Sequence, residues 1–165
     1  MEIYLLRHGD ATDRQDGGYT RDEERPLTEA GREEARVAAE ALRGLGGAID
    51  LVLTSPLLRA EQTATIAADL LRPAQGLARC APLAPGGDPE AVVAALVAAA
   101  PASALLVGHM PDLGELAGWL VWGLPDAALA LRTGGLCRIT ARPGPGAGNG
   151  DLRWLLPPRL LQRLG

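Results

Sequence analysis

Apolar and polar positions alternate along the chain in blocks whose lengths and periods predict strands and helices in turn. A short apolar run, Glu2 to Leu6, ends at Arg7-His8-Gly9 and reads as a strand. The polar, acidic stretch from Asp10 to Arg25, with Gly17-Gly18, reads as a solvated loop. Thr28 then stands where a helix N-cap belongs, with Glu29 in the first turn and Ala35, Ala38, Ala39 and Leu42 at helical spacing. Gly44, Gly46 and Gly47 should stop that helix. Asp50 to Thr54 predicts a second strand. Ser55-Pro56 then signals the start of a helix running to about Leu71.

Leu77 to Leu83 predicts a third strand and Asp88 to Ala99 a helix rich in Ala and Val. Ala104 to Val107 reads as a buried strand ending at Gly108-His109, and Met110-Pro111 opens a helix reaching Val121. Gly135 to Ala141 and Asp151 to Leu155 read as two strands joined by a loop of Gly and Pro over 143–150. The tail beyond Pro157-Pro158 is short, with packing and fraying both open. This alternation predicts an α/β fold with a largely parallel sheet and an antiparallel C-terminal hairpin. At 165 residues the chain has the length of one domain, 1–165, with room for a real core.

Composition narrows the partners. The fractions of hydrophobic residues, 47%, and charged residues, 22%, are ordinary for a soluble globular protein. A net charge of −4 argues against nucleic acid as the main partner, although a local cluster of Arg could still serve one small anion. Met1 to Leu6 is too short for a signal peptide, and the best apolar run, Ala91 to Ala100, has about half the length needed to cross a bilayer. Cys80 and Cys137 match no metal or redox spacing and are expected to be buried thiols in a reducing cytoplasm.

The chain has two His, and each directly follows a predicted strand. In open α/β sheets ligands bind beyond the carboxyl ends of strands. Arg7 sits beside His8, and Arg59 lies near the start of the helix after the second strand, where side chains tilt back toward the helix N-terminus. Each of these residues alone has an ordinary explanation: a chance tripeptide, a capping or surface His109, an exposed Arg59. Together Arg7, His8, Arg59 and His109 project to one rim and make an anion site.

Leu6-Arg7-His8-Gly9 resembles the signature of the histidine phosphatase (phosphoglycerate mutase-like) superfamily. Arg25-Pro26-Leu27-Thr28 with Gly31, Ser55-Pro56-Leu57-Leu58-Arg59-Ala60-Glu61-Gln62-Thr63 and Val107-Gly108-His109-Met110-Pro111 are similar to its further blocks, in order. Asp10-Ala11 and the Arg-Ala-Glu-Gln-Thr run resemble the SixA type of phosphohistidine phosphatase, as does Asn149-Gly150 leading to Trp154 and Pro157. The resemblance covers nearly the whole chain. It implies a three-layer αβα sandwich and a metal-independent phosphatase without a cofactor. In that scheme His8 is the nucleophile, while Arg7, Arg59, His109 and the backbone N–H of Met110 hold the phosphoryl oxygens. The two guanidinium groups are expected to keep His8 neutral, with its second ring nitrogen pinned by a backbone carbonyl.

Many members of the superfamily protonate an alkoxide leaving group with a carboxylic acid placed after the third strand. Asp88 and Glu90 are the candidates in this chain, with a helix cap and a surface residue as their plainer readings. The unfilled acid position and the absence of a lid-sized insertion between Leu71 and Ala104 favour phosphohistidine on a protein, such as a histidine phosphotransfer domain, as substrate. A phosphatase of small phosphomonoesters and a non-catalytic phosphate- or phosphoprotein-binding module remain as alternatives. The expected protein is a cytoplasmic monomer.

Overall fold

The computed structural model describes residues 1–13, 18–124 and 127–164. Strands β1 (Glu2–Arg7), β2 (Leu51–Thr54), β3 (Leu77–Arg79), β4 (Ser103–Gly108), β5 (Leu136–Ala141) and β6 (Gly150–Leu156) form one sheet in the order β3-β2-β4-β1-β5-β6. The contacts β3–β2, β2–β4 and β4–β1 are parallel, and β5 and β6 run antiparallel to their neighbours. Helices α1 (Glu29–Gly44), α2 (Leu58–Leu71), α3 (Pro89–Ala99), α4 (Asp112–Trp122) and α5 (Pro158–Leu161) cover it.

The central strands read as unbroken apolar runs because both of their faces are covered. Ile3 and Leu5 of β1 and Ala104 and Leu106 of β4 pack with Val92, Leu96, Leu113 and Leu120 of α3 and α4. The alternate residues Tyr4, Leu6, Leu105 and Val107 pack with Ala38, Leu42, Ala60 and Ala64 of α1 and α2 on the other face. The result is the three-layer αβα sandwich that the resemblance implied. The chain's tail packs: Leu161 of α5 is fully buried against that second face.

Several boundaries differ from the sequence reading for local reasons. The third strand stops at Arg79 instead of Leu83, because Pro82 has no N–H to give a sheet and the chain turns into a 3-10 helix at Ala81–Leu83. Helix α2 begins at Leu58 and not at Ser55-Pro56. Helix α4 begins at Asp112, two residues after Met110, with Pro111 as its N-cap. Gly44 is the last residue of α1 rather than its stop signal. The Thr28 cap stands as read, its side chain accepting from the Gly31 N–H. The acidic stretch is not simply solvated: it carries a 3-10 turn at Asp22–Glu24 and a bridge between Ala11 and Leu27, while 14–17 lie outside the described residues. Among the described residues no helix is long and apolar enough to cross a membrane.

Candidate active site

The parallel register places Arg7 of β1 opposite Gly108 of β4, so the residues that follow each strand emerge side by side. The His8 backbone N–H donates to the Gly108 carbonyl at 3.0 Å, and the His8 and His109 ring centroids are 5.0 Å apart. Arg59, the second residue of α2, reaches the same rim with 6% of its surface exposed. Its Nε is 3.3 Å from His8 Nε2. Arg7, His8, Arg59, His109 and Met110 line one hollow of about 320 Å³, joined by Arg25, Asp10, Ala11, Pro85 and Thr133. The five residues expected to hold the phosphoryl group, Arg7, His8, Arg59, His109 and Met110, are therefore brought together at one rim. Met110 is two residues ahead of α4, so its N–H belongs to the turn before the helix instead of the helix itself.

Two glycines make the approach of α1 to this rim possible. A Cβ on Gly9 would lie 2.2 Å from the Gly31 carbonyl oxygen, and one on Gly31 would lie 1.9 Å from the Asp10 carbonyl oxygen. Both atoms are backbone and have nowhere to go. Thr63 of α2 adds a second tie, its hydroxyl accepting from the Gly9 N–H at 3.2 Å.

His8 Nδ1 lies 2.7 Å from the Gly9 carbonyl oxygen. A carbonyl can only accept, so Nδ1 carries the proton and the lone pair is on Nε2, toward Arg59. The ring is a weak base, pushed down to about 4 chiefly by burial, with the Arg59, Arg7 and Arg25 guanidiniums adding to the fall and the Gly9 carbonyl opposing it. The guanidinium effect expected from the sequence is present, but desolvation is the larger cause. His109 is pushed lower, to about 3, again by burial first, then by His8 and Arg59. Both imidazoles are neutral at pH 7.

The arginines are held differently. Arg7 Nη1 donates to the Leu131 carbonyl at 2.9 Å, and burial lowers its proton affinity. Its Nε is buried without a hydrogen-bond partner among the described residues, as is His109 Nδ1. Arg59 Nη1 and Nη2 donate to the backbone oxygen and carboxylate of Asp22, each at 2.8 Å. The other Asp22 oxygen accepts from Arg25 Nη1 at 2.8 Å, and Arg25 Nε donates to the Thr12 carbonyl at 2.7 Å. Those bonds hold the Asp22 carboxyl below the usual carboxylate range.

Asp22, the lining role of Arg25, and Ser55 were missed in the sequence reading. Of the two acid candidates, Asp88 caps α3 by accepting from the Glu90 N–H at 2.9 Å, and neither it nor Glu90 lines the hollow.

A half-buried and a buried imidazole among guanidiniums, with the unpartnered Arg7 Nε–H beside them, make a hollow suited to a tetrahedral oxyanion. The model of the histidine phosphatase superfamily (branch 1) matches residues 3–79. An uncharacterised protein of Picosynechococcus sp. is 44% identical over 140 residues, 82% of each chain. The phosphohistidine phosphatase SixA of Escherichia coli is 34% identical over 161 residues, 96% of this chain and 94% of that one. A structure of the protein histidine phosphatase SixA complexed with tungstate superposes with a TM-score of 0.84 at 34% identity, covering 98% of this chain and 99% of that one. The chain belongs to the histidine phosphatase superfamily, in its SixA-type branch. These relatives support a phosphatase activity and the phosphoglycerate mutase-like fold.

Proposed function

We propose that the chain removes phosphate from phosphohistidine on proteins, through a phosphoenzyme intermediate on His8. The observation that carries this reading is the His8 ring itself: its Nδ1 proton is committed to the Gly9 carbonyl, which leaves Nε2 unprotonated at the hollow. There it accepts a long 3.3 Å bond from Arg59 Nε that an incoming phosphoryl group can displace. The Nε2 lone pair attacks phosphorus while the substrate's P–N bond breaks, its electrons passing to the leaving imidazole. Arg7, Arg59, His109 and the Met110 N–H hold the equatorial oxygens, where fixed donors stabilise a metaphosphate-like transition state without a metal. Water then attacks the phosphorus, and the P–N bond to His8 returns its electron pair to Nε2.

The leaving group follows from the carboxylates. Asp22 is ionised between two guanidiniums, and Asp88 is spent on a helix cap. A sugar or serine alkoxide would need a proton from such a group. An imidazole whose other nitrogen is already protonated departs neutral and needs none. The likeness to a phosphohistidine phosphatase and to a tungstate complex supports the same reading. The partner is a phosphorylated protein of the histidine phosphotransfer kind, approached by a monomer. The free thiols of Cys80 and Cys137 suit a reducing cytoplasm.

The test compares hydrolysis of a phosphohistidine protein with that of small phosphomonoesters at equal enzyme concentration. Phosphohistidine should be preferred in kcat/KM, and His8→Asn should lose turnover by about 10⁴-fold. Equal or faster hydrolysis of sugar phosphates overturns the substrate assignment. An active His8→Asn variant overturns the nucleophile.

A further inference from the structure

Ser55 is fully buried at the carboxyl end of β2, and its role is not that of a helix cap. Its backbone N–H continues the β2–β4 ladder, donating to the Val107 carbonyl at 2.9 Å. That extra step of register brings its side chain beside His109: Ser55 Oγ lies 2.8 Å from His109 Nε2. Ser55 Oγ also accepts from the Leu57 N–H, a longer bond at 3.4 Å.

The direction of the Ser55–His109 bond follows from the hydroxyl's one proton. Among the described residues no carbonyl or carboxylate oxygen bonds Ser55 Oγ. If His109 Nε2 donated, the hydroxyl hydrogen would be buried without an acceptor, an arrangement that folded proteins avoid. If Ser55 donates, the hydroxyl hydrogen is used and the one hydrogen left over sits on His109 Nδ1, at the hollow that His109 lines, where a bound oxyanion can accept it. His109, neutral because it is buried among cations, then carries its single proton on Nδ1. Nδ1 is the ring atom left buried and without a partner. An N–H there would be satisfied by a phosphoryl oxygen, whereas a bare lone pair would repel one.

We propose that Ser55 is a positioning residue: by donating to His109 Nε2 it fixes the Nδ1–H tautomer, so that His109 meets the phosphoryl group as a neutral hydrogen-bond donor of set direction. This rests on the hollow being the phosphoryl site, and it adds a residue that touches neither substrate nor nucleophile. Without Ser55 the ring is free to place its proton on either nitrogen and to rotate.

The chain's two His make the test direct, since ring-labelled protein shows four ¹⁵N signals and a His8→Asn variant leaves only those of His109. At pH 7 the wild type should show His109 Nδ1 protonated and Nε2 as an acceptor. In Ser55→Ala the protonated-Nε2 form should gain population, tungstate affinity should fall about 10-fold, and kcat should fall more than KM rises. Ser55→Thr, which keeps the hydroxyl, should restore the wild-type tautomer. A wild-type His109 protonated on Nε2 overturns the proposal whatever the variants do, as does a Ser55→Ala enzyme with unchanged tautomer and affinity. Failure of the wild type to bind tungstate would instead overturn the phosphoryl-site reading beneath it.

Discussion

Two imidazoles held neutral chiefly by desolvation make folding depend on pH in a window where little else titrates. An unfolded histidine binds a proton near its ordinary 6.5, while His8 refuses one until about 4 and His109 until about 3. Between those limits the unfolded chain holds more protons than the folded one, so stability falls as pH falls. At pH 5 the linkage costs about 2 kcal/mol for each ring, or roughly 4 kcal/mol for the pair relative to neutral pH. Domains of this size are stable by about 5–15 kcal/mol, so the loss is large. The carboxylates add little above pH 5. Glu2 and Asp22 are both held below their ordinary values, so the stability they contribute is present above the unfolded carboxylate range and is lost only as pH falls below it.

Urea unfolding followed by fluorescence of the three Trp, at steps from pH 7 to pH 5, measures the effect. The midpoint should fall steadily, and His8→Asn should remove about half of the dependence. A midpoint that does not move between pH 7 and pH 5 would show that the folded rings take up protons freely. It would refute the neutral-imidazole basis of the mechanism along with the burial that causes it.

Catalysis should show the same chemistry from the other side: kcat/KM should fall as pH drops through about 4, where His8 in the free enzyme takes a proton and loses its lone pair, and a flat rate profile down to pH 3 would contradict this. Asp22→Ala frees one bond from Arg59 Nη2 and one from Arg25 Nη1, and should lower kcat/KM about 10-fold while costing under about 1 kcal/mol of stability, because the carboxylate is half exposed. Steady-state kinetics beside urea melts separate the two effects; an unchanged rate would mean that Arg59 is aimed by α2 alone. Gly31→Ala forces a methyl group onto the Asp10 carbonyl and should cost about 2 kcal/mol or more, read as a lowered Tm, since the contacting atoms are all Asp10 backbone. A wild-type Tm for that variant would deny the close seating of α1 on the Gly9 turn.

Much of this was legible in the sequence because strand ends are local features. The apolar runs of β1 and β4 stop at His8 and His109, and a parallel pair must bring those stops together. Arg59 was found by the same logic from the first turn of α2. What escaped were bonds between positions far apart whose local patterns had a plainer meaning. A Ser followed by Pro before a helix looks like a cap, and nothing nearby reveals a bond to a His 54 residues later. Asp22 sits in a run of acidic residues that reads as solvated, yet its partner Arg59 lies 37 residues on. The overlong third strand is a different kind of error: Pro82 was visible, and its missing N–H should have ended the strand.

The site's design turns on separating charge from proton affinity. The guanidinium groups of Arg7, Arg25 and Arg59 supply attraction for an anion. That same positive field, added to burial, strips the proton from both imidazoles, so the field that gathers a phosphoryl group also exposes the lone pair that attacks it. An imidazolium at His8 would hold the anion more tightly in the ground state and could not react with it. Once phosphorylated at Nε2, His8 keeps its Nδ1 proton and becomes formally cationic, and the Gly9 carbonyl 2.7 Å away is placed to stabilise that charge. The negative phosphoryl group bound beside it offsets the repulsion from the three guanidiniums. The cation the fold refuses in the empty enzyme is thus the one it accommodates in the intermediate, and this difference favours phosphoryl transfer to His8 over simple binding.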